Sequence, residues 1–117
     1  MTTELAPETR RVPCCGFEDE HVRHAAGADE MAASAAVFKA LSDETRLRIL
    51  RAISHMKELC ECNIVPVFGL SQPTISYHLK VLREAGLIES ERRGQWVYHR
   101  VNARALLGAV RHLTEIA

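Results

Sequence analysis

The chain has 117 residues, and its 15 Lys and Arg balance its 15 Asp and Glu, so the formal net charge is zero. This length supports one domain with a modest core, and the balanced charge argues neither for nor against a nucleic-acid partner. No apolar run approaches the roughly 18 residues of a membrane span, and the N-terminus lacks the basic-then-apolar order of a signal peptide. We therefore expect a cytoplasmic protein.

Residues 1–20 contain two prolines, many charges and almost no apolar periodicity. We interpret them as a mobile N-terminal arm, with residues 21–117 as the folded domain. Cys14 and Cys15 lie in the arm, whereas Cys60 and Cys62 lie in the domain. In a reducing compartment four cysteines are more often metal ligands or redox groups than structural disulfides.

Two amphipathic helices are predicted to open the domain. Apolar residues share one helical face over residues 29–41, and a second stripe runs over residues 42–54. Ser42 is the predicted N-cap of this second helix, because its hydroxyl can accept from the free amides of the first turn.

A short third helix is predicted to begin at Asn63 and to end at Gly69. Asn63 is a plausible N-cap, and Pro66 then falls in the first turn, where a missing amide proton is tolerated. Few residues separate Gly69 from the next helix, so the two helices form a helix-turn-helix.

The fourth helix covers residues 71–86 and has recognisable signals at both ends. Ser71 is a good N-cap, Pro73 falls in the first turn, and Gly86 supplies a left-handed stop. An apolar stripe of Ile75, Leu79 and Leu82 must face the core, and His78 on its flank is a packing residue.

The opposite face of this helix is rich in hydroxyl groups and has no carboxylate, which suits the major groove of DNA. Gln, Ser and Thr can contact base edges, and Lys can contact phosphate. The candidate DNA-binding residues of the helix are Ser71, Gln72, Thr74, Ser76, Tyr77 and Lys80.

After Gly86 the apolar period changes from helical to two, which predicts a β-hairpin. The strands are residues 87–92 and 95–101, with Arg93-Gly94 at the tip. Residues 71–100 hold five basic and three acidic side chains, as an electrostatic footprint for DNA requires. A basic hairpin after a helix-turn-helix is interpreted as a wing, with Arg92 and Arg93 near phosphate or the minor groove.

A last helix over residues 103–117 carries an apolar stripe of Leu106, Val110, Leu113 and Ala117. We expect it to pair with the first helix across a two-fold axis, which makes the protein a homodimer. The predicted fold is mainly α with a small β-hairpin: four helices, two strands and a fifth helix forming a winged helix-turn-helix.

Three segments resemble the ArsR/SmtB family of metal-responsive transcriptional repressors: residues 40–50, the segment Glu58-Leu59-Cys60-Glu61-Cys62, and residues 70–87. The resemblance runs from about Ala33 to the C-terminus. It implies a dimeric repressor that binds a two-fold symmetric double-stranded DNA operator and leaves it when an inducer binds.

The cysteine segment resembles the Glu-Leu-Cys-x-Cys-Asp box of the family's arsenic, cadmium and lead sensors, with two departures. Asn63 replaces Asp, and Val65 stands where the arsenic sensors have a third cysteine. The resemblance to sensors that use an N-terminal arm implies a site of Cys60 and Cys62 with Cys14, Cys15 or both, generally from the other subunit. Trivalent arsenic and lead can be satisfied by three thiolates, while cadmium and zinc favour four. The sequence therefore leaves As(III), Cd(II) and Pb(II) open as inducers, with Zn(II) less favoured.

The family's second metal site, on the last helix, is matched only in its second half, by His112 and Glu115. Two other functions stay open. One is a repressor of the same fold that senses thiol oxidation or persulfides; the other is a metal-trafficking protein or thiol oxidoreductase. No Gly-rich phosphate loop, paired carboxylates or catalytic Cys-His-Asp order supports an enzyme.

Overall fold

The structure is a computed structural model that describes residues 19–117, without the side chains at positions 28 and 29. These residues form α1 (Glu20–Ala26), α2 (Ala28–Leu41), α3 (Glu44–Met56), β1 (Leu59–Cys60), α4 (Glu61–Phe68), α5 (Gln72–Glu84), β2 (Ile88–Arg93), β3 (Trp96–Val101) and α6 (Ala103–Ile116). The predicted mainly helical fold with a β-hairpin is confirmed. No helix in this range is long and apolar enough to cross a membrane.

Helix α1 is an element that the sequence pattern did not indicate. The Asp19 carboxylate accepts from the His21 amide at 2.8 Å, and Gly27 ends the helix in the left-handed conformation. Asp19 and Glu20, which were predicted to belong to the arm, are instead the N-cap and the first residue of this helix. The rest of the arm, with Cys14 and Cys15, lies outside the described residues.

The predicted N-cap of the second helix was wrong by one residue. Ser42 is instead the C-cap of α2, and its hydroxyl donates to the Lys39 carbonyl at 2.7 Å. Asp43 caps α3, because it has the extended backbone of an N-cap and its carboxylate accepts from the Arg46 amide at 3.1 Å. Both residue types suit an N-cap, so the backbone conformation decides between these neighbours.

The predicted start of the third helix was also wrong, by three residues. Cys60 is the N-cap of α4, and Asn63 is its third helical residue, whose side-chain oxygen accepts from the Cys60 amide at 3.3 Å. Pro66 is therefore the sixth residue of α4 rather than part of its first turn. Pro66 has no amide proton to donate to the Cys62 carbonyl. Because the helix is only eight residues long, this costs one hydrogen bond near its end. Gly69, at φ 66°, ends α4 as predicted.

Both predicted ends of α5 are confirmed. The Ser71 hydroxyl accepts from the amide of Thr74 at 3.3 Å, and Pro73 is the second helical residue. At the other end Gly86 has φ 81°, and the Leu87 amide donates to the Leu82 carbonyl at 3.0 Å. This return bond is that of a Schellman motif, which satisfies carbonyls at a helix end.

The core lies between α3, α4, α5 and the start of β2. Its largest fully buried side chains are Ile49, Ile53, Ile64, Ile75, Leu79, Leu82 and Leu87. Three of the seven are the predicted apolar stripe of α5. Because this stripe faces the core, the polar side of α5 must face solvent.

The sheet is antiparallel in the order β1-β3-β2. Arg93 pairs with Trp96, so the hairpin turn is Gly94-Gln95 and the predicted tip, Arg93-Gly94, was wrong by one residue. The short strand β1 was not predicted. It pairs Leu59 and Cys60 with β3, which joins the start of α4 to the wing.

Helices α2 and α6 pack against each other within one chain. Ala109 is buried, and the Ser34 hydroxyl is 2.5 Å from Nδ1 of His112. The outer face of α6 remains exposed, with large apolar side chains at Leu107, Val110, Leu113 and Ile116. This face is free for contact with another molecule.

His99 on β3 is the least exposed titratable side chain described, at 2%. Its Nδ1 is 2.8 Å from the Ser90 hydroxyl, while Nε2 has no hydrogen-bond partner among the described residues. Burial lowers the pKa of His99, the Glu61 carboxylate acts in the opposite direction, and Arg83 lowers the pKa further.

We expect His99 to make the protein less stable in mild acid. The imidazole of the unfolded chain binds a proton near pH ~6.5, whereas the buried one binds it only at lower pH. Lowering the pH from about 7.5 to about 5.5 should reduce the free energy of unfolding more in the wild type than in His99→Gln. Urea unfolding at fixed protein concentration measures this, and equal losses in the two proteins would contradict it.

Candidate functional site

Two cysteines lie at the start of α4. Cys60 is the N-cap residue and is only 4% exposed, while Cys62 is exposed in the first turn. The neighbouring Cys60 sulfur favours the protonated form of the Cys62 thiol and is the main reason that the pKa of Cys62 is raised, and burial adds to it. Both cysteines line the same cleft, as a shared soft ion requires.

This pair alone does not complete a metal site. Within residues 19–117 no group of three or more His, Cys, Asp and Glu side chains is placed to hold a metal ion. A thiophilic ion prefers three or four thiolates. The two thiols fit such an ion chemically, and its remaining donors must come from elsewhere.

A cleft of about 440 Å³ joins the thiols to both predicted DNA-binding elements. Its walls come from the start of α4, the head of α5 and the tip of the wing. The lining residues are Cys60, Glu61, Cys62, Val65, Pro66, Gln72, Gln95, Trp96 and Val97. A ligand bound at the thiols thus lies beside Gln72.

The polar face of α5 is exposed as predicted, at Gln72, Pro73, Thr74, Ser76, Tyr77 and Lys80. Its hydroxyl groups are not equally available. The Ser71 hydroxyl serves as the cap and lies 3.0 Å from that of Thr74. Tyr77 is 58% exposed, with its ring tilted against that of His78 at 5.8 Å.

The polar face of α5 has no carboxylate of its own, but a carboxylate from another helix lies against it. The Ser76 hydroxyl donates to the carboxylate of Glu61 in α4. Sequence reasoning missed Glu61, because a carboxylate in the first turn of a helix already has a local explanation in the helix dipole. The contact depends on how α4 packs on α5, and no sequence spacing reports that.

The two arginines predicted for the wing have different surroundings. Arg93 donates to both carboxylate oxygens of Glu58, at 2.8 and 2.9 Å, and to Glu91 at 3.1 Å. Its guanidinium lies over the Tyr98 ring at 4.6 Å. The pKa of Glu58 and that of Glu91 are both lowered, mainly by hydrogen bonds from Arg93.

Arg92 projects from the opposite face of the hairpin and is exposed. Arg100 shares the face of Arg93 and pairs with Glu91 at 3.3 Å. Among the described residues Arg92 is the hairpin arginine without an ion pair. The wing therefore offers one uncommitted cation, whereas Arg93 is held by two carboxylates.

His112 and Glu115, the two residues that match the second metal site, both contact other residues of the chain. His112 is half-buried against Ser34 of α2. Glu115 is exposed and lies 4.0 Å from Arg111.

These features define a winged helix-turn-helix with a thiol pair beside its helix-turn-helix. The family described as "Bacterial regulatory protein, arsR family" matches residues 43–90, from α3 into β2. An ArsR-like transcriptional regulator from Rhodococcus sp. RHA1 has a similar structure, with a TM-score of 0.67 and 32% identity over 74% of this chain and 80% of that one. The chain belongs to the ArsR family.

Three curated relatives match over shorter segments. The arsenic resistance transcriptional regulator ArsR1 of Pseudomonas putida is 50% identical over 56% of this chain and 52% of its own. The arsenical resistance operon repressor of Escherichia coli is 46% identical over 56% of each chain. The cadmium resistance transcriptional regulatory protein CadC of Listeria innocua is 44% identical over 53% of this chain and 52% of its own. The chain thus spans about half the length of these relatives.

A second solved structure is that of a winged helix-turn-helix DNA-binding domain from Mycobacterium bovis, described as homodimeric. Its TM-score is 0.60, with 29% identity over 87% of this chain and 90% of that one.

We expect the two thiols to react with alkylating agents at different rates. With Cys14 and Cys15 replaced by Ser, iodoacetamide at about pH 7.5 should modify exposed Cys62 at least ~10 times faster than buried Cys60. Cys60→Ala should raise the rate at Cys62 several-fold, because it removes the neighbour that raises the pKa of Cys62. Mass spectrometry of the time course checks both, and faster modification of Cys60 would contradict the placement.

Proposed function

We propose that this protein is a homodimeric, DNA-binding transcriptional repressor released from its operator by a thiophilic metal(loid) ion. The observation that carries the proposal is the cleft that Cys60 and Cys62 line together with Gln72, at the head of α5. A ligand at the thiols can act on the DNA-binding helix without crossing the domain.

The inducer site is completed by thiolates of the N-terminal arm. Cys60 and Cys62 supply two donors, and Cys14, Cys15 or both supply the remainder, from the partner subunit. Three thiolates suit As(III) and Pb(II), and four suit Cd(II), with Zn(II) less favoured. The names of the arsenic and cadmium resistance relatives support this class of ion.

DNA binds across the polar face of α5 and the wing. Gln72, Thr74, Ser76 and Tyr77 face the major groove and Lys80 a phosphate, while the Ser71 hydroxyl caps the helix at the DNA surface. In the wing Arg92 is the main phosphate contact, and Arg93 contributes only if it leaves Glu58. Two copies of α5 then read a two-fold symmetric operator.

Dimerisation uses the exposed apolar face of α6 together with α2. Its side chains at Leu107, Val110, Leu113 and Ile116 are between 43% and 75% exposed in one chain. The homodimeric state of the Mycobacterium bovis domain supports this assembly.

Gln72→Ala should weaken operator binding at least roughly 30-fold, since one good base contact contributes about 1–3 kcal/mol and the dimer loses this contact in both half-sites. Affinity for a non-specific duplex should change little, because Gln72 has no charge for phosphate. The measurement is fluorescence anisotropy with a duplex selected from a random library by the wild-type protein.

The matched control for this variant is cadmium binding, followed by the thiolate-to-metal absorbance band. It should be unchanged in Gln72→Ala. An unchanged operator affinity would remove Gln72 from the DNA interface.

Arsenite or Cd(II) should release the wild-type dimer from its operator under full reduction by a phosphine. Cys60→Ser should stay bound at ion concentrations at least ~10 times higher, because the site loses one of its two fixed thiolates. Deletion of residues 1–16 should leave operator binding intact and weaken release. Anisotropy titrations with each ion provide the measurement.

Three outcomes separate the alternatives. Full release of the arm-deleted protein would leave Cys14 and Cys15 without a role. Release by oxidant or persulfide but by no ion would indicate a thiol-redox repressor. Failure to protect any duplex in footprinting would favour a metal-trafficking protein or thiol oxidoreductase.

A further inference from the structure

Glu61 links the thiol pair to the DNA-facing side of α5. It lies between Cys60 and Cys62 in sequence and is the first residue of α4. Its carboxylate accepts the hydrogen bond from the hydroxyl of Ser76. Ser76 is exposed on the same face of α5 as Tyr77 and Lys80. One side chain thus connects the centre of the thiol segment to the polar face.

The same carboxylate lies close to a third element, the wing. His99 of β3 is buried, and its Nε2 has no partner among residues 19–117. The Glu61 charge raises the pKa of His99, whereas burial, the larger influence, lowers it. Glu61 is therefore at the place where α4, α5 and β3 meet.

Binding of one ion by both cysteines acts directly on this residue. The ring closed by the ion and the two sulfur atoms runs through both peptide bonds and the Cα atom of Glu61. Two metal–sulfur bonds of ~2.3 Å or more bring both sulfur atoms to one ion. Any displacement of the sulfur atoms on ion binding is passed to the Glu61 backbone within this ring.

We propose that Glu61 is the positioning residue through which ion binding at Cys60 and Cys62 releases α5 from DNA. This inference rests on the proposed function. In the free protein the Glu61–Ser76 hydrogen bond holds α5 against the start of α4 in its DNA-binding orientation. Chelation across Glu61 withdraws the carboxylate from Ser76, and α5 loses that support.

The experiment compares operator affinity with and without Cd(II) or arsenite in the full-length protein. In the wild type the ratio of the two dissociation constants should lie in the range of ~5- to ~150-fold that is typical of allosteric coupling. In Glu61→Ala the ratio should fall below about 3-fold, because the hydrogen bond is absent in both states. Glu61→Gln keeps an oxygen that can accept from Ser76, so it should restore most of the ratio.

Ser76→Ala tests the same bond from its other end and, as an exposed position, leaves the core intact. It should reduce the ratio as Glu61→Ala does, and the double variant should show no further loss. Glu58→Ala is the matched carboxylate control, two residues before Cys60. It frees Arg93 in both states and should leave the ratio at the wild-type value.

Ion binding to the protein without DNA shows whether Glu61 couples the two sites or is itself a ligand of the ion. Cd(II) affinity, from the thiolate-to-metal absorbance band, should be as high or higher in Glu61→Ala than in the wild type, because the ion no longer has to displace the Glu61–Ser76 hydrogen bond. A large loss would make Glu61 a ligand and overturn the proposal. A full wild-type ratio in Glu61→Ala, or in Ser76→Ala, would also overturn it and leave the proposed function standing. A wild type released by neither ion would overturn both.

Discussion

The burial of one apolar stripe on α5 is the constraint on which the rest of the structure depends. Ile75, Leu79 and Leu82 are almost fully inaccessible to solvent, and each such side chain contributes about 1.5–3 kcal/mol when it is removed from water. Any rotation of α5 about its axis that buried Tyr77 or Lys80 would expose the apolar stripe and lose this stabilisation. The polar face of α5 is therefore exposed to solvent because the apolar face on the other side of the helix must stay buried.

The start of α4 combines structural and chemical roles in one residue. Cys60 pairs with Tyr98 in the sheet, has a buried side chain and is the N-cap of α4, while its amide donates to the side-chain oxygen of Asn63. An ion that binds this thiol acts on a residue fixed to the wing on one side and to α4 on the other. By contrast, Cys62 is exposed and can follow an incoming ligand. The pair thus has one fixed and one adaptable donor.

The sequence was sufficient to predict what local chemistry determines. Ser71, Pro73 and Gly86 mark the ends of α5 through caps and backbone preferences that need no tertiary contact, and they were correct. The starts of α3 and α4 were misplaced because nearby residues compete for the N-cap position. Asp43 prevails over Ser42 through backbone conformation, and α4 starts at Cys60, where the unpredicted strand β1 ends. Periodicity could not show a two-residue strand, nor the contact of Glu61 with Ser76.

The balance of acidic and basic side chains in the whole chain is repeated locally in the wing. Glu58 and Glu91 hold Arg93 and Arg100 on one face of the wing, so these cations are largely neutralised before any DNA arrives. In the proposed complex with DNA, Lys80 and Arg92 are therefore the foremost phosphate contacts of α5 and the wing in each subunit. Because non-specific affinity grows with the number of phosphates neutralised, operator binding then depends heavily on base contacts from α5. Such contacts require the orientation of α5 to be held closely. A coupling of only about 1–3 kcal/mol is then enough to change occupancy substantially, so a single hydrogen bond at the head of this helix is of the right magnitude to control release.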